Sequence, residues 1–337
     1  MPGRPTSTGP RVVAAPDKFR GTATATEVAG AIARAAESAG WRCDRVPLAD
    51  GGEGTLEALG GANRETTVTG PLGDPVQAAW RFDGTTAVIE MAEASGLLLV
   101  GGAGGNDPIA AATTGVGELV MAAVESGAKR VIVGVGGSAS TDGGLGALRA
   151  LHPPRMHGVQ LLVACDVRTT FVDAAEVFSP QKGASDAQEE LLRRRLERLV
   201  EVYHDDHGID VTEIEGSGAA GGLAGGLAVA GATLVSGFDL IADEVGFYEA
   251  LEEADLVITG EGFVDAESFD GKVVGGVVDA AAADGVASFV VAGRFFDDTL
   301  GRVDGVSLVE RFGVERARSD TVRCVEEVVA ERLARGS

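Results

Sequence analysis

The stretch Arg130–Leu151, RVIVGVGGSASTDGGLGALRAL, decides how the chain is read. Val131-Ile-Val is an unbroken apolar run, as in a strand buried on both faces of a parallel sheet, and LGALRAL carries the spacing of a helix. Between them stand glycines, hydroxyls and one acid, Asp142. Strand, loop and helix in this order form half of a βαβ unit. The loop either cradles a phosphate or only turns the chain.

The same succession recurs on either side. Arg11–Ala15 reads as a buried strand, PDKFRG as its loop, and Thr24-Ala-Thr-Glu27 as a capping box that opens a helix through about Ser38. Cys43–Leu48 is a second strand, ending in ADGGEGT before LEAL. From about Glu65 short β-like runs alternate with Gly-Pro, Gly-Asp-Pro and Asp-Gly turns, which predicts antiparallel hairpins. Helices are expected over Thr113–Gly127 and Asp186 to about Asp206, and a strand over Val159–Cys165. Towards the end, strands at Asp255–Thr259, Ala287–Ala292 and Gly305–Val309 go with helices at Gly275–Ala283 and Ser319–Arg335. The end resembles the beginning, so the expected fold is α/β. One discontinuous domain, 1–64 plus 250–337, carries a second domain, 65–249, inserted in it.

Composition agrees. The chain has 337 residues with 50 glycines, 45% hydrophobic and 5% aromatic, which suits an α/β enzyme with many close backbone turns. A formal net charge of -23 offers no footprint for nucleic acid or an anionic membrane. An anionic substrate must be captured locally, by a few Lys, Arg or backbone N–H groups. Cys43, Cys165 and Cys324 are too scattered for a disulfide framework or zinc site and read as small apolar residues in a reducing compartment. The start, MPGRPTSTGPR, has no apolar segment of the kind a signal peptide needs, and no apolar run suffices for a membrane span, so a cytoplasmic location is expected. Composition does not give the oligomeric state.

Several familiar sites are missing or weak. Gly271-Lys272 is followed by Val273, so there is no Walker A loop, and no G-x-S-x-G elbow occurs. Gly134-x-Gly136-x-x-Ala139 and Gly216-x-Gly218-x-x-Gly221 match a dinucleotide fingerprint only formally; Asp239 stands at ribose distance from the second, but VTEIEGSG makes a poor strand. His204 and His207, among Asp205 and Asp206, read as a solvated helix end. What remains is six strand-terminal loops sharing one chemistry: Asp17–Gly21, Asp50–Gly54, Gly136–Gly143, Ala164–Asp166, Pro180–Gly183 and Gly260–Asp265. Ligands of open α/β sheets bind at the carboxyl ends of strands. Acids there could hold Mg²⁺ or take a hydroxyl proton, and N–H groups, Lys and Arg could hold phosphate oxygens, a combination that fits phosphoryl transfer.

In order, APDKFRG, PLADGGEGT, GPLGDPV, IEMAEASGL, TTGVGEL, GGSASTDGGLGALRAL, VACDV, FSPQKGA, GSGAAGGLAGGL and DLVITGEG resemble the glycerate kinase family of the bacterial glycerate 2-kinase type, from about Arg11 to Gly293. The resemblance implies an ATP- and Mg²⁺-dependent kinase that phosphorylates D-glycerate, generally at the 2-hydroxyl. It also implies a Rossmann-like parallel-sheet domain, an inserted mixed-sheet α/β domain and a site in the cleft between them. The chain departs from the family pattern in Lys18 and Arg20, where Ser and Lys are usual, in Arg168–Asp173 after Asp166, in Phe263, where Arg is usual, and in LHPPRMHG, which replaces a longer segment.

On this reading Lys18 and Arg20 hold the acid's carboxylate, and ATP phosphates lie over Gly136, Gly137, Ser138 and Ser140 with help from Lys182. Asp166, with Asp50, holds Mg²⁺ or orients the attacking hydroxyl. Asp142 meets the hydroxyl or metal, or caps LGALRAL; Glu261, Asp265 and Lys272 complete the candidates. A kinase of another small hydroxy acid, 3-phosphorylation, an NAD-dependent hydroxy-acid oxidoreductase and a non-catalytic nucleotide-binding relative are the alternatives.

Overall fold

Val12, Val13 and Ala14 are fully buried, as a central strand requires, and residues 256–258, from far along the chain, pair with them. The structure, a computed structural model, describes residues 9–334; the first eight residues of MPGRPTSTGPR, expected not to be a signal peptide, and the expected helix end at Arg335 lie outside them. Two compact units are present, one formed by the chain up to Ala49 and from Ile241 onward, the other by Asp50–Leu240. These limits stand apart from the 64/65 and 249/250 boundaries read from sequence. Helix Thr55–Ala58 accounts for the first difference, because Leu56 N–H donates to Glu90 of the second unit at 2.7 Å.

The first unit begins with β1 (Arg11–Ala14) and β2 (Arg42–Arg45). Between them lies helix Ala25–Ser38, opened by the Thr24/Glu27 capping box that the sequence announces. The second unit contributes β3 (Arg64–Thr69), β4 (Pro75–Phe82), β5 (Thr86–Glu90), β6 (Arg130–Gly134), β7 (Gln160–Ala164) and β8 (Thr233–Val235). The chain then returns to the first unit with β9 (Leu256–Val264), β10 (Ala287–Phe295) and β11 (Gly305–Ser307).

The first sheet is wholly parallel in the order β11-β10-β9-β1-β2. Chain order departs from β1 in both directions, so the switch point of this doubly wound sheet lies between β1 and β9, the place where such sheets bind ligands. The second sheet is mixed, in the order β3-β4-β5-β6-β7-β8: β3, β4 and β5 are the antiparallel hairpins expected after Glu65, and β5 to β8 are parallel.

Two sequence readings change. GEGFV is not a loop but the second half of β9, because β10 is equally long and pairs with it through Phe263↔Arg294 and Val264↔Phe295. The Gly216 fingerprint follows a short 3₁₀ turn, Val211–Glu213, rather than a strand, so no dinucleotide crossover exists there. Helix Ala219–Val229 is instead entirely buried, with a left-handed interruption at Ala220–Gly222. Among the described residues no helix is long and apolar enough to cross a membrane.

Candidate active site

In the second unit the carboxyl ends of β5, β6, β7 and β8 carry Glu90, the Gly136–Ser138 loop, Asp166 and Ser236–Gly237. The Asp50–Gly54 loop packs onto them. A Cβ added to Gly136 would lie 2.6 Å from the Gly52 Cα, so this position must be glycine for two backbones to meet. Buried Glu90 then fixes the loop by accepting from Gly54 N–H at 3.0 Å and Leu56 N–H at 2.7 Å. Burial raises the Glu90 pKa against the lowering effect of those two bonds.

Asp166 is the most perturbed acid of this edge. Its Oδ1 accepts from Gly237 N–H at 2.7 Å and lies 3.4 Å from the Ser236 hydroxyl, while the buried Oδ2 has no hydrogen-bond partner. Burial, then the charge of Asp50, pushes its pKa up to about 7. Asp50 itself accepts from Gly52 N–H at 3.0 Å. An orphaned oxygen beside a second carboxylate suits Mg²⁺, which takes one or two carboxylates and completes its shell with water and substrate phosphates. Among the described residues no group of three or more His, Cys, Asp or Glu is arranged around a metal position.

The remaining candidates of this unit lie deeper than the sequence suggests. Gly137 is exposed and Gly136 half-buried, but Ser138, Ser140 and Lys182 are buried. The Lys182 ammonium donates to the Ser140 carbonyl at 2.6 Å, and burial lowers its pKa to about 7 despite the opposing influence of Asp142. Lys182 therefore braces the loop from beneath. Asp142 does likewise: its carboxylate accepts from Thr113 N–H at 2.9 Å, the Thr113 hydroxyl, and the N–H groups of Gly144 and Gly146 at 3.1 Å each. That is the capping task, at the start of helix Leu145–Ala150. His204 and His207 are exposed at the end of helix Asp186–His207, whose Leu192, Leu196 and Tyr203 face the core.

In the first unit the PDKFRG loop leaves β1 at the switch point. Asp17 N–H donates to Gly260 O at 2.9 Å, and Phe19, 1% exposed, anchors the loop through paired bonds with Ala23 at 2.8 and 3.0 Å. Lys18 and Arg20 flank that anchor; the Lys18 ammonium is 3.6 Å from Asp17, and Arg20 is exposed. Glu261, half-buried, lies on the neighbouring β9. Asp265 is engaged with Ser268, whose N–H it accepts at 3.1 Å, and Lys272 is 3.3 Å from Glu267.

Chains of known relationship fit this arrangement. The glycerate kinase family matches residues 12–153 and 152–331. The chain belongs to the glycerate kinase family. Glycerate 2-kinase of Escherichia coli K12 is 38% identical over 90% of this chain and 89% of its own. Glycerate kinase of Bacillus subtilis strain 168 is 37% identical, covering 86% of each. The crystal structure of a putative glycerate kinase 2 from Salmonella typhimurium LT2 superposes with a TM-score of 0.80 at 31% identity, over 97% of this chain and 99% of the other. As a glycerate kinase family member the protein is a phosphotransferase with an alcohol acceptor, and its family implies ATP as donor. The two family segments meet at residues 152–153, where LHPPRMHG stands.

Within this family member, sequence reasoning missed two contributors. Glu90 lies inside a quoted motif, but its bonds to Gly54 and Leu56 join residues far apart in the chain. The Asn106 side-chain amide donates to the carbonyls of Ala139 at 3.0 Å and Lys182 at 2.9 Å, tying two loops together; no local pattern marks it.

Proposed function

We propose that the protein transfers the terminal phosphoryl group of ATP to the 2-hydroxyl of D-glycerate, giving 2-phosphoglycerate and ADP. The observation that carries the chemistry is Asp166: a buried carboxylate at the carboxyl end of β7, held by one oxygen, without a hydrogen-bond partner at the other and beside Asp50. Asp50 and Asp166 would hold Mg²⁺. When bound, that ion neutralises phosphate charge and keeps the donor oxygens aligned.

The chain's own groups do the rest. Lys18 and Arg20 bind the glycerate carboxylate, Arg20 by the two-pronged hydrogen bonding a guanidinium offers. The exposed Gly137 and adjoining Gly136 present backbone to the phosphates, while Ser138, Ser140 and Lys182 keep that backbone in place. Glu90 fixes the loop that carries Asp50. Phosphoryl transfer of this kind depends on positioning and charge more than on a strong base, so rigid loops are the main requirement.

A coupled ADP-release assay across small hydroxy acids, with the product read by ³¹P NMR, tests the proposal. ADP should appear only with ATP, Mg²⁺ and D-glycerate, and the phosphorus should sit on the 2-oxygen. Nucleotide binding without turnover of any acid would make the protein a non-catalytic relative instead.

A further inference from the structure

Among the described residues only two aromatic side chains are exposed, Phe263 and Phe296, and they are neighbours. Their ring centroids are 5.9 Å apart with planes inclined by 39°. The Arg294 guanidinium lies 4.9 Å from the Phe296 centroid. We infer that this pair is the platform on which the purine ring of the nucleotide donor stacks; the inference rests on the kinase reading above.

The sheet sets the rings side by side. Phe263 near the end of β9 pairs with Arg294 of β10, and Phe296 N–H extends the ladder by donating to Val264 O at 2.8 Å. Strand alternation turns Val264 into the core and leaves Phe263 on the other face. Phe296 is also held from behind. Asp297 and Asp298 follow it in left-handed backbone, φ 53° and 55°, a region that Asp enters more readily than most non-glycine residues. The buried Thr299 hydroxyl ties this turn to the strand, 2.6 Å from Phe296 O and 3.2 Å from Val264 O.

Position and chemistry choose the occupant. The rings stand at the carboxyl ends of β9 and β10, beside the PDKFRG loop: a Cβ on Gly262 would lie 3.1 Å from Arg20 N. Glycerate, small and polar, has no flat apolar face to cover a phenyl ring. A purine has one, and it stacks on phenyl and guanidinium groups alike. A protein partner is a poor match, since two rings 56% and 39% exposed present about 200 Å² together, whereas stable interfaces bury about 800 Å² per partner.

The test is calorimetric titration of the full-length protein and its Phe263→Ala, Phe296→Ala and Phe263→Trp variants with ATP, ADP and inorganic tripolyphosphate. Loss of one ring should weaken ATP and ADP about tenfold or more, leave tripolyphosphate affinity and the KM for D-glycerate unchanged, and be rescued by Phe263→Trp. Equal loss for tripolyphosphate would mean that the rings only support the fold and would overturn the inference. So would unchanged ATP affinity in an active enzyme, and if sedimentation velocity then shifted, the rings would be a contact between copies. A wild-type protein that binds no nucleotide would remove the kinase reading together with the platform.

Discussion

At Asp166 one oxygen is satisfied and the other is not, and the two halves of the carboxylate can be tested separately. Asp166→Asn keeps an acceptor for Gly237 N–H but removes the charge that would hold Mg²⁺. Turnover should fall on the order of a hundredfold or more. Stability should not follow. Because the folded-state pKa is raised from 3.8 to about 7, this group lowers stability as pH rises between those values and the loss is complete above about pH 7, an effect the neutral amide escapes. Melting at pH 8 should therefore be no lower in the variant than in the wild type; a large drop would place Asp166 in the framework rather than the chemistry.

Lys182 is the converse case. Its folded pKa of about 7 lies below the ordinary value of 10.5, so the folded state releases its proton first and stability from this group rises between pH 7 and 10.5. Lys182→Met lacks that titration. The melting temperature of the wild type relative to Lys182→Met should climb between about pH 6.5 and 9.5; a flat difference would show that the ammonium is not desolvated. Sequence suggested a cation for phosphates here. Its polar neighbours Gln181 and Ser185 gave no warning of burial, which comes from Ser140 and Asn106, brought in from elsewhere in the chain, together with the nearby Phe178 ring.

At the scale of elements, the glycines of the buried Ala219–Val229 helix answer to close backbone packing. Gly221 has φ +70°, and a Cβ on it would lie 2.1 Å from Ser140 O. Gly221→Ala should cost about 3 kcal/mol in denaturant unfolding, from the forced backbone and the overlap together. Gly208 has nearly the same φ, +71°, but open space, so Gly208→Ala should cost only roughly 1 kcal/mol. Equal losses would mean that contact with the Ser140 backbone is unimportant. Elements with a local signature were legible: the Thr24 capping box, the hairpins after Glu65 and the apolar cores of β1, β6 and β7. GEGFV was not, because its glycines look like a turn and only pairing with β10, some thirty residues on, makes it a strand.

For the whole molecule, the α/β class and the inserted arrangement followed from the end of the chain resembling its beginning. Which loops share a sheet edge did not, since Asp50, Gly136, Asp166 and Gly237 come together only through the order of β5 to β8 and the loop packed on them. The interrupted first sheet has a consequence for how the protein is made. β1 draws its neighbour β9 from the far end: Arg11 N–H bonds to the Asp255 carboxylate across 244 residues, and β1 pairs with β9 from Val12 onward. On the ribosome, the first two strands must wait while the entire Asp50–Leu240 unit emerges and has time to fold. Limited proteolysis of stalled nascent chains should find that middle unit protected first, and residues before Ala49 protected only once β9 and β10 have been synthesised. Early protection of the leading segment would mean that β1 and β2 find shelter without their late partner. Otherwise the opening segment depends, throughout synthesis, on whatever keeps an unpaired apolar strand from meeting another nascent chain.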